Sequence, residues 1–172
     1  MPALNATGRT RIDPAHERTF DGPAKSELLK GPIELYRFGL QPGLWWYDES
    51  LLTEMREEYL EASLSDARSQ AIDVMMFPRD GLAVSREWNK FGWLMTMKLQ
   101  HGQSIEAWVG RTSPQPEWTT LPDGRILNGG WVQYLIYDLS KAPAWIFSKQ
   151  TTVSLFEKWG RMISGVRIRK RG

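Results

Sequence analysis

Several short stretches of the chain are rich in apolar, aromatic and β-branched residues, and over residues 33–39 apolar and polar positions alternate, which is typical of β-strands. These stretches are residues 33–39, 44–47, 93–99, 104–110 and 131–139. Apolar residues recur at helical spacing over residues 51–64, where Asp48, Glu49 and Ser50 provide capping groups. A second helix is predicted over residues 152–162. The pattern therefore predicts short strands with one helix in the middle of the chain and another near its end.

The stretch that starts at Gly129-Gly130 carries a polar side chain among apolar neighbours. Successive side chains of a strand point to opposite faces, so Gln133 shares a face with Trp131 and Leu135. The two glycines allow positive φ and a close approach of a ligand to the backbone. An amide in this position can point from a strand into a cleft. The alternative is a hairpin turn followed by a core strand whose Gln is satisfied within the fold.

A charge lies on an otherwise apolar face of the strand at residues 33–39. Arg37 has the same parity as Ile33 and Leu35. A buried arginine needs a partner, and a phosphate or carboxylate suits its bidentate guanidinium. The alternative is an edge-strand arginine that reaches solvent.

Three consecutive aromatic residues, Trp45, Trp46 and Tyr47, put aromatic area on both faces of the next strand. One face is expected in the core. The other would be a stacking wall for a planar ring or would face the following helix.

Composition narrows the choice of chemistry. The chain has 172 residues, 41% of them hydrophobic, and nine tryptophans, which fits one globular domain with large flat apolar surfaces. Residues 1–30 are rich in turn-formers without apolar periodicity and are predicted to be a flexible arm or linker, which leaves 31–172 as the domain. The absence of Cys excludes disulfides, thiolate metal sites and a Cys nucleophile, and two His are too few for a His-rich zinc site.

Charge and targeting signals exclude further classes. The net charge of +2 does not indicate a general nucleic-acid binder, and the basic ending from Arg167 to Arg171 is either a solvated tail or a docking patch for an acidic partner or nucleic acid. No apolar run reaches membrane-spanning length, and no signal-peptide core is visible. Phosphate-loop, Rossmann, hydrolase-elbow and zincin motifs are absent from the sequence.

The order of the short motifs resembles a known family. Tyr36-Arg37-Phe38-Gly39, a glycine and then Leu44-Trp45-Trp46 resemble the opening of NAD⁺-glycohydrolase toxin domains related to the tuberculosis necrotizing toxin. Residues 105–110, the proline-containing loop 111–125 and the turn leading to Gln133 resemble a later segment of that family. Residues 82–89 resemble the middle of ADP-ribosyltransferase-like polymorphic toxins. The resemblance covers about residues 33–139.

The resemblance implies an α+β, ADP-ribosyltransferase-like split sheet, in which two small β-sheets form a cleft for NAD⁺ and helices lie at the periphery. The implied reaction is cleavage of the nicotinamide–ribose bond by a delivered effector acting in the cytosol of a target cell. NAD⁺ would be the substrate, with no separate cofactor and no metal. An immunity protein is an expected partner.

The resemblance also implies roles for particular residues. Gln133 would hold the ribose hydroxyls or nicotinamide, and Arg37 would grip the pyrophosphate, as the catalytic pair. Substrate binding is assigned to Phe38, Gly39, Trp46, Tyr47, Ser85, Gly130 and Trp131.

Two other functions are compatible with the sequence. Related ADP-ribosyltransferases commonly place Glu where this chain has Gln133, so the amide favours hydrolysis over transfer to a protein or nucleic-acid acceptor. A non-enzymatic binding module is the second alternative, with Trp45, Trp46, Trp118 and Trp131 holding a ligand.

Overall fold

The structure is a computed structural model that describes residues 11–64, 76–121, 123–137, 139 and 142–169. In chain order its elements are α1 (Pro14–Glu17), β1 (Lys25–Lys30), β2 (Ile33–Phe38), β3 (Trp45–Trp46), α2 (Glu49–Leu64), α3 (Met76–Leu82), β4 (Trp93–Leu99), β5 (Ser104–Arg111), β6 (Gln115–Pro116), β7 (Ile126–Leu127), β8 (Val132–Leu135), a 3-10 turn (Ala144–Ile146), β9 (Phe147–Thr151) and α4 (Thr152–Arg169).

The strands form small antiparallel sheets. Sheet one has the order β1-β5-β8-β3, and sheet two has the order β2-β4-β9. The short strands β6 and β7 pair with each other as a separate hairpin. The fold is therefore α+β, with few helices and several small antiparallel sheets.

Two hydrophobic cores lie on the two faces of sheet two. The first core lies between the sheets and contains Leu35 of β2, Met97 of β4 and Ile105 of β5. The second core lies between sheet two and the helices. Because side chains alternate along a strand, β2 sends Leu35 to the first core and Tyr36 and Phe38 to the second. This arrangement explains why β2 is apolar on both faces.

A pair of backbone hydrogen bonds joins the two sheets. The Tyr36 amide donates to the Tyr47 carbonyl at 2.7 Å, and the Tyr47 amide donates to the Tyr36 carbonyl at 2.8 Å. This bridge fixes the end of β2 against the residue that follows β3. Arg37 and Tyr47 consequently lie at the junction of the sheets.

The helices cover the second core because their apolar residues share one face. Leu51 and Met55 of α2 and Leu155 and Trp159 of α4 are buried there. The ring of Tyr59 stacks on Phe156 at a centroid distance of 5.2 Å, which joins α2 to α4. Among the described residues, no helix combines the length and the apolar character needed to cross a bilayer.

The predicted strands at 33–39, 93–99 and 104–110 are confirmed to within one residue, and the predicted helices correspond to α2 and α4. The strand predicted over 131–139 is shorter, since β8 ends at Leu135. Strand β9 and the short helix α3 have no counterpart among the predicted elements.

The expectation of a loose arm over residues 1–30 needs correction for residues 11–30. Strand β1 pairs along its whole length with β5, from Lys25 opposite Val109 to Lys30 opposite Ser104. Phe20 is buried and forms a bridge to Thr112. Residues 1–10 and the basic tail from residue 170 onward lie outside the described residues.

Candidate active site

A pocket of about 290 Å³ opens where the two sheets meet. Its walls come from both sheets, from the segment before β1, from the turn after α3 and from the segment after β5. The residues that line it are Thr19, Arg37, Phe38, Trp45, Tyr47, Leu82, Ala83, Val84, Trp88, Asn89, Phe91, Thr112, Ser113, Gln115 and Gln133.

Arg37 is the charged side chain of this pocket. Its Nε atom is buried and has no hydrogen-bond partner among the residues that the structure describes. Burial lowers the pKa of Arg37 from its ordinary value, although the interaction with Tyr47 acts in the opposite direction. Partial removal of a guanidinium from water without a counter-ion is unfavourable, and its remaining contact with solvent reduces that cost. The pocket therefore presents a positive charge that an anionic ligand would compensate.

Two glycines give the Arg37 guanidinium its room. A Cβ atom added at Gly43 would lie 1.7 Å from Arg37 Nη1, and one added at Gly39 would lie 3.0 Å from Nη2. The guanidinium carbon also lies 5.9 Å from the centre of the Trp46 ring, within reach of a cation–π interaction. The Arg-Phe-Gly and Gly-x-Trp-Trp motifs thus meet around one side chain.

Tyr47 provides a neutral hydroxyl in the same pocket. Burial raises the pKa of Tyr47 well above its ordinary value and is the largest influence on it. The positive charge of Arg37 lowers the same pKa by less. The phenol therefore keeps its proton near neutral pH and is able to donate a hydrogen bond.

Gln133 lies on β8, opposite Gly110 of β5, and is buried. Its Nε2 atom donates to the Thr19 carbonyl oxygen at 3.0 Å. The side chain lines the pocket, and its amide also has this hydrogen bond within the fold.

The turn after α3 forms the rim of the pocket and is held by polar contacts. Asn89 Nδ2 donates to the Phe38 carbonyl at 2.8 Å, and Asn89 Oδ1 accepts from the Phe91 amide at 2.7 Å. Arg79 donates to the carbonyls of Val84 and Asn89 at 2.9 Å each. Trp88, next to Asn89, is 57% exposed although it lines the pocket. This places an accessible aromatic ring at the rim.

Four of the nine site residues predicted from the sequence line the pocket: Arg37, Phe38, Tyr47 and Gln133. Five do not. Trp46 is fully buried in the first core, where it stacks on Phe147 at 5.9 Å, because its parity on β3 is opposite to that of Trp45 and Tyr47. Ser85 is also fully buried, and its hydroxyl donates to the Glu117 carbonyl.

The other three predicted residues that do not line this pocket lie in or beside the glycine turns. Gly39 has φ +142 and lies against Arg37, so it acts on the site through that side chain. Gly130 has φ +95, and its carbonyl accepts from Arg111. The Trp131 ring packs on Gly81, where a Cβ atom would lie 2.7 Å from it. This contact directs Trp131 to the second core.

Thr19, Trp88 and Thr112 also line the pocket, although the sequence does not mark them as site residues. Trp88 could have been identified from the sequence, because it lies in the segment 82–89 that resembles a toxin motif. Thr19 could not, because its carbonyl reaches Gln133 across 114 positions of sequence.

The structure does not bring together the four tryptophans of the predicted binding module. Trp45 lines the pocket and Trp46 lies in the core. Trp118 is 39% exposed and is not among the lining residues. Metal binding has no candidate within the described ranges, where no three His, Asp or Glu side chains cluster.

The sequence matches no protein-family model and no curated protein. The chain is similar in structure to a solved chain described as Rhs1-CT in complex with cognate immunity protein RhsI1, with 12% sequence identity and a TM-score of 0.42. This similarity covers 76% of the present chain and 80% of the other.

Proposed function

We propose that the chain is a toxin effector of the NAD⁺ glycohydrolase type, with an ADP-ribosyltransferase-like fold. The observation that carries the proposal is the partly buried Arg37 side chain, whose buried Nε atom has no hydrogen-bond partner among the described residues and which lines the same pocket as Gln133. The motif order of the sequence supports the choice of NAD⁺ as the anionic ligand. An immunity protein and delivery into the cytosol of a target cell belong to the same proposal.

The size of the pocket suits one end of a dinucleotide. Ligand pockets usually measure roughly 300–1,000 Å³, and about 290 Å³ is at the lower end of that range. In the proposed complex the nicotinamide riboside end enters the pocket and the pyrophosphate meets Arg37. The exposed Trp88 at the rim then offers a stacking surface for a ring.

The reaction needs little from the protein beyond orientation and hydrogen bonding. The bond between the anomeric carbon and the pyridinium nitrogen breaks, and its electron pair neutralises the nitrogen, so nicotinamide leaves uncharged. A water oxygen bonds to the anomeric carbon and releases a proton to solvent, which gives ADP-ribose. The transition state resembles an oxocarbenium ion, as in glycoside hydrolysis. Polar groups that hold the ribose, such as Gln133, stabilise this transition state when their hydrogen bonds strengthen as charge develops.

The proposal is tested by incubating the purified protein with NAD⁺ and measuring released nicotinamide. We expect release by the wild type and a loss of about a hundredfold or more in Gln133→Ala, which should melt close to the wild-type temperature. Intact NAD⁺ after incubation with folded wild-type protein would reject the glycohydrolase function. In a parallel incubation with biotin-labelled NAD⁺, labelled ADP-ribose attached to a macromolecule would instead identify a transferase.

A further inference from the structure

The side-chain amide of Gln133 is oriented by a backbone carbonyl from a distant segment. Gln133 Nε2 lies 3.0 Å from the carbonyl oxygen of Thr19, which also accepts from the Ser113 amide at 2.8 Å. A carbonyl oxygen only accepts hydrogen bonds, so the amide must present its NH₂ group to it. The orientation of the amide follows from this contact.

The segment that carries the Thr19 carbonyl is fixed at both ends. We call residues 13–20 the N-terminal strap. At its start the Asp13 amide donates to the Tyr137 hydroxyl at 2.9 Å, and His16 Nδ1 lies 2.9 Å from the same hydroxyl. At its end Phe20 packs on Gly110, where a Cβ atom would lie 2.6 Å from the ring.

The strap is also closed internally and onto the neighbouring loop. The Thr19 hydroxyl donates to the His16 carbonyl at 2.6 Å, which holds the turn that follows α1. The Asp21 amide donates to the Arg111 carbonyl at 2.8 Å, immediately beyond the strap. The carbonyl that faces Gln133 is therefore held in place from several directions before any ligand binds.

We propose that the Thr19 carbonyl is a positioning group that selects an amide at residue 133 and leaves its Oε1 atom to accept a hydrogen bond from the substrate. This inference rests on the proposed function and deepens it. The chemical class that Oε1 recognises is a donor, such as a ribose hydroxyl or the carboxamide NH₂ of nicotinamide. A carboxylate at residue 133 would place an oxygen against the carbonyl oxygen, where both are acceptors, and only its protonated form would restore the contact.

Other ionisable groups around the pocket must be considered in a test that uses a carboxylate. Arg37 and Tyr47 are the ionisable side chains among the lining residues. His16 lies on the strap, and Arg111 of β5 donates to the Gly130 carbonyl two residues before β8. An ion pair with Arg37 would favour an ionised carboxylate at residue 133, whereas the Thr19 carbonyl and burial favour the protonated acid. An ion pair with Arg37 would make Gln133→Glu more stable as pH rises, whereas the Thr19 carbonyl and burial would make it less stable as pH rises.

The first experiment compares the thermal stability of wild type, Gln133→Glu and Gln133→Met between pH 5 and pH 8. If the Thr19 carbonyl selects an amide, it should raise the pKa of the new acid in the folded state above the value in the unfolded state. The destabilisation of Gln133→Glu relative to wild type should then be small at low pH and grow as pH rises toward the folded pKa. Gln133→Met carries no ionisable group and should show a difference from wild type that does not change with pH. A Gln133→Glu variant that gains stability with rising pH, or that shows no pH dependence, would overturn the positioning role.

The second experiment measures nicotinamide release by the same three proteins. Relative to wild type, Gln133→Glu should recover activity as pH falls, by up to about tenfold per pH unit while the ionised form dominates. Gln133→Met should stay about a hundredfold or more below wild type throughout. Release by wild type with a constant Gln133→Glu ratio would reject the inference but keep the glycohydrolase. No release by wild type would reject the glycohydrolase, while the melting curves would still decide whether Thr19 selects an amide.

Discussion

Replacing Arg37 by methionine separates ligand binding from folding, because the structure gives this side chain no ion pair among the described residues. Its Nε atom is buried without a partner, and burial lowers its pKa. Replacing this partly buried, unpaired charge by an unbranched apolar side chain should not lower the stability of the free protein. We therefore expect Arg37→Met to melt at or above the wild-type temperature.

Binding should respond in the opposite direction. A hydrogen bond to a charged group contributes roughly 1.5–3 kcal/mol, which corresponds to about a 10- to 150-fold change in Kd. We expect Arg37→Met to bind ADP-ribose, the non-hydrolysable product, more weakly by this factor. Isothermal titration calorimetry measures the change, and binding to the wild type should also weaken as salt is raised.

Arg125→Met is the matched control, since it removes the same charge outside the pocket. Arg125 is 54% exposed and lies 3.5 Å from Asp80, so its loss should change stability by less than about 1 kcal/mol and leave ADP-ribose binding intact. An unchanged Kd in Arg37→Met would refute the assignment of Arg37 as the anion ligand. Unfolding of Arg37→Met would show that Arg37 has a structural role instead.

Three further variants test neighbouring parts of the site. Gly43→Ala would place a Cβ atom 1.7 Å from Arg37 Nη1, so calorimetry should show ADP-ribose binding weakened nearly as much as in Arg37→Met, and wild-type affinity would contradict the described position of the guanidinium. Trp88→Ala should weaken binding by roughly 0.5–1.5 kcal/mol if the rim ring stacks on the ligand, whereas Trp118→Ala should not, and equal effects in calorimetry would argue against stacking. Phe20→Ala should lower the free energy of unfolding in urea by roughly 3 kcal/mol, because a buried ring is lost, and no change would indicate that the segment before β1 is a loose arm.

The central strands are predictable because their packing repeats in the sequence. Strand β2 alternates between two cores, so Leu35 and Tyr36 are both apolar and the run is easily recognised. Arg37 interrupts that run, which makes it a candidate from the amino-acid sequence alone. Gln133 stands out for the same reason, as an amide in an apolar strand after a glycine turn.

Strand β1 is not predictable in this way because it is held by its backbone. Only Leu29 of its six residues is buried, and the strand lies at the edge of sheet one. Its pairing with β5 satisfies main-chain groups and leaves no hydrophobic period in the sequence. The role of the Thr19 carbonyl is even harder to predict, because every residue has a main-chain carbonyl and its contacts leave no pattern in the sequence.

The aromatic run shows a different limit. Trp45, Trp46 and Tyr47 are similar in polarity, so their pattern does not reveal which parity faces the pocket. The structure directs Trp46 into the first core, and Trp45 and Tyr47 toward the pocket. The choice depends on the pairing of Trp45 with Leu135 and Trp46 with Tyr134, which is a tertiary feature.

The most direct test of the NAD⁺ glycohydrolase function is a proton NMR time course of NAD⁺ with the purified wild-type protein and, in parallel, with Arg37→Met. The proposed function predicts that nicotinamide and ADP-ribose appear in equal amounts with the wild type and far more slowly with Arg37→Met. NAD⁺ that remains intact beside folded wild-type protein, or is cleaved equally fast by Arg37→Met, would contradict the role of this pocket in cleavage.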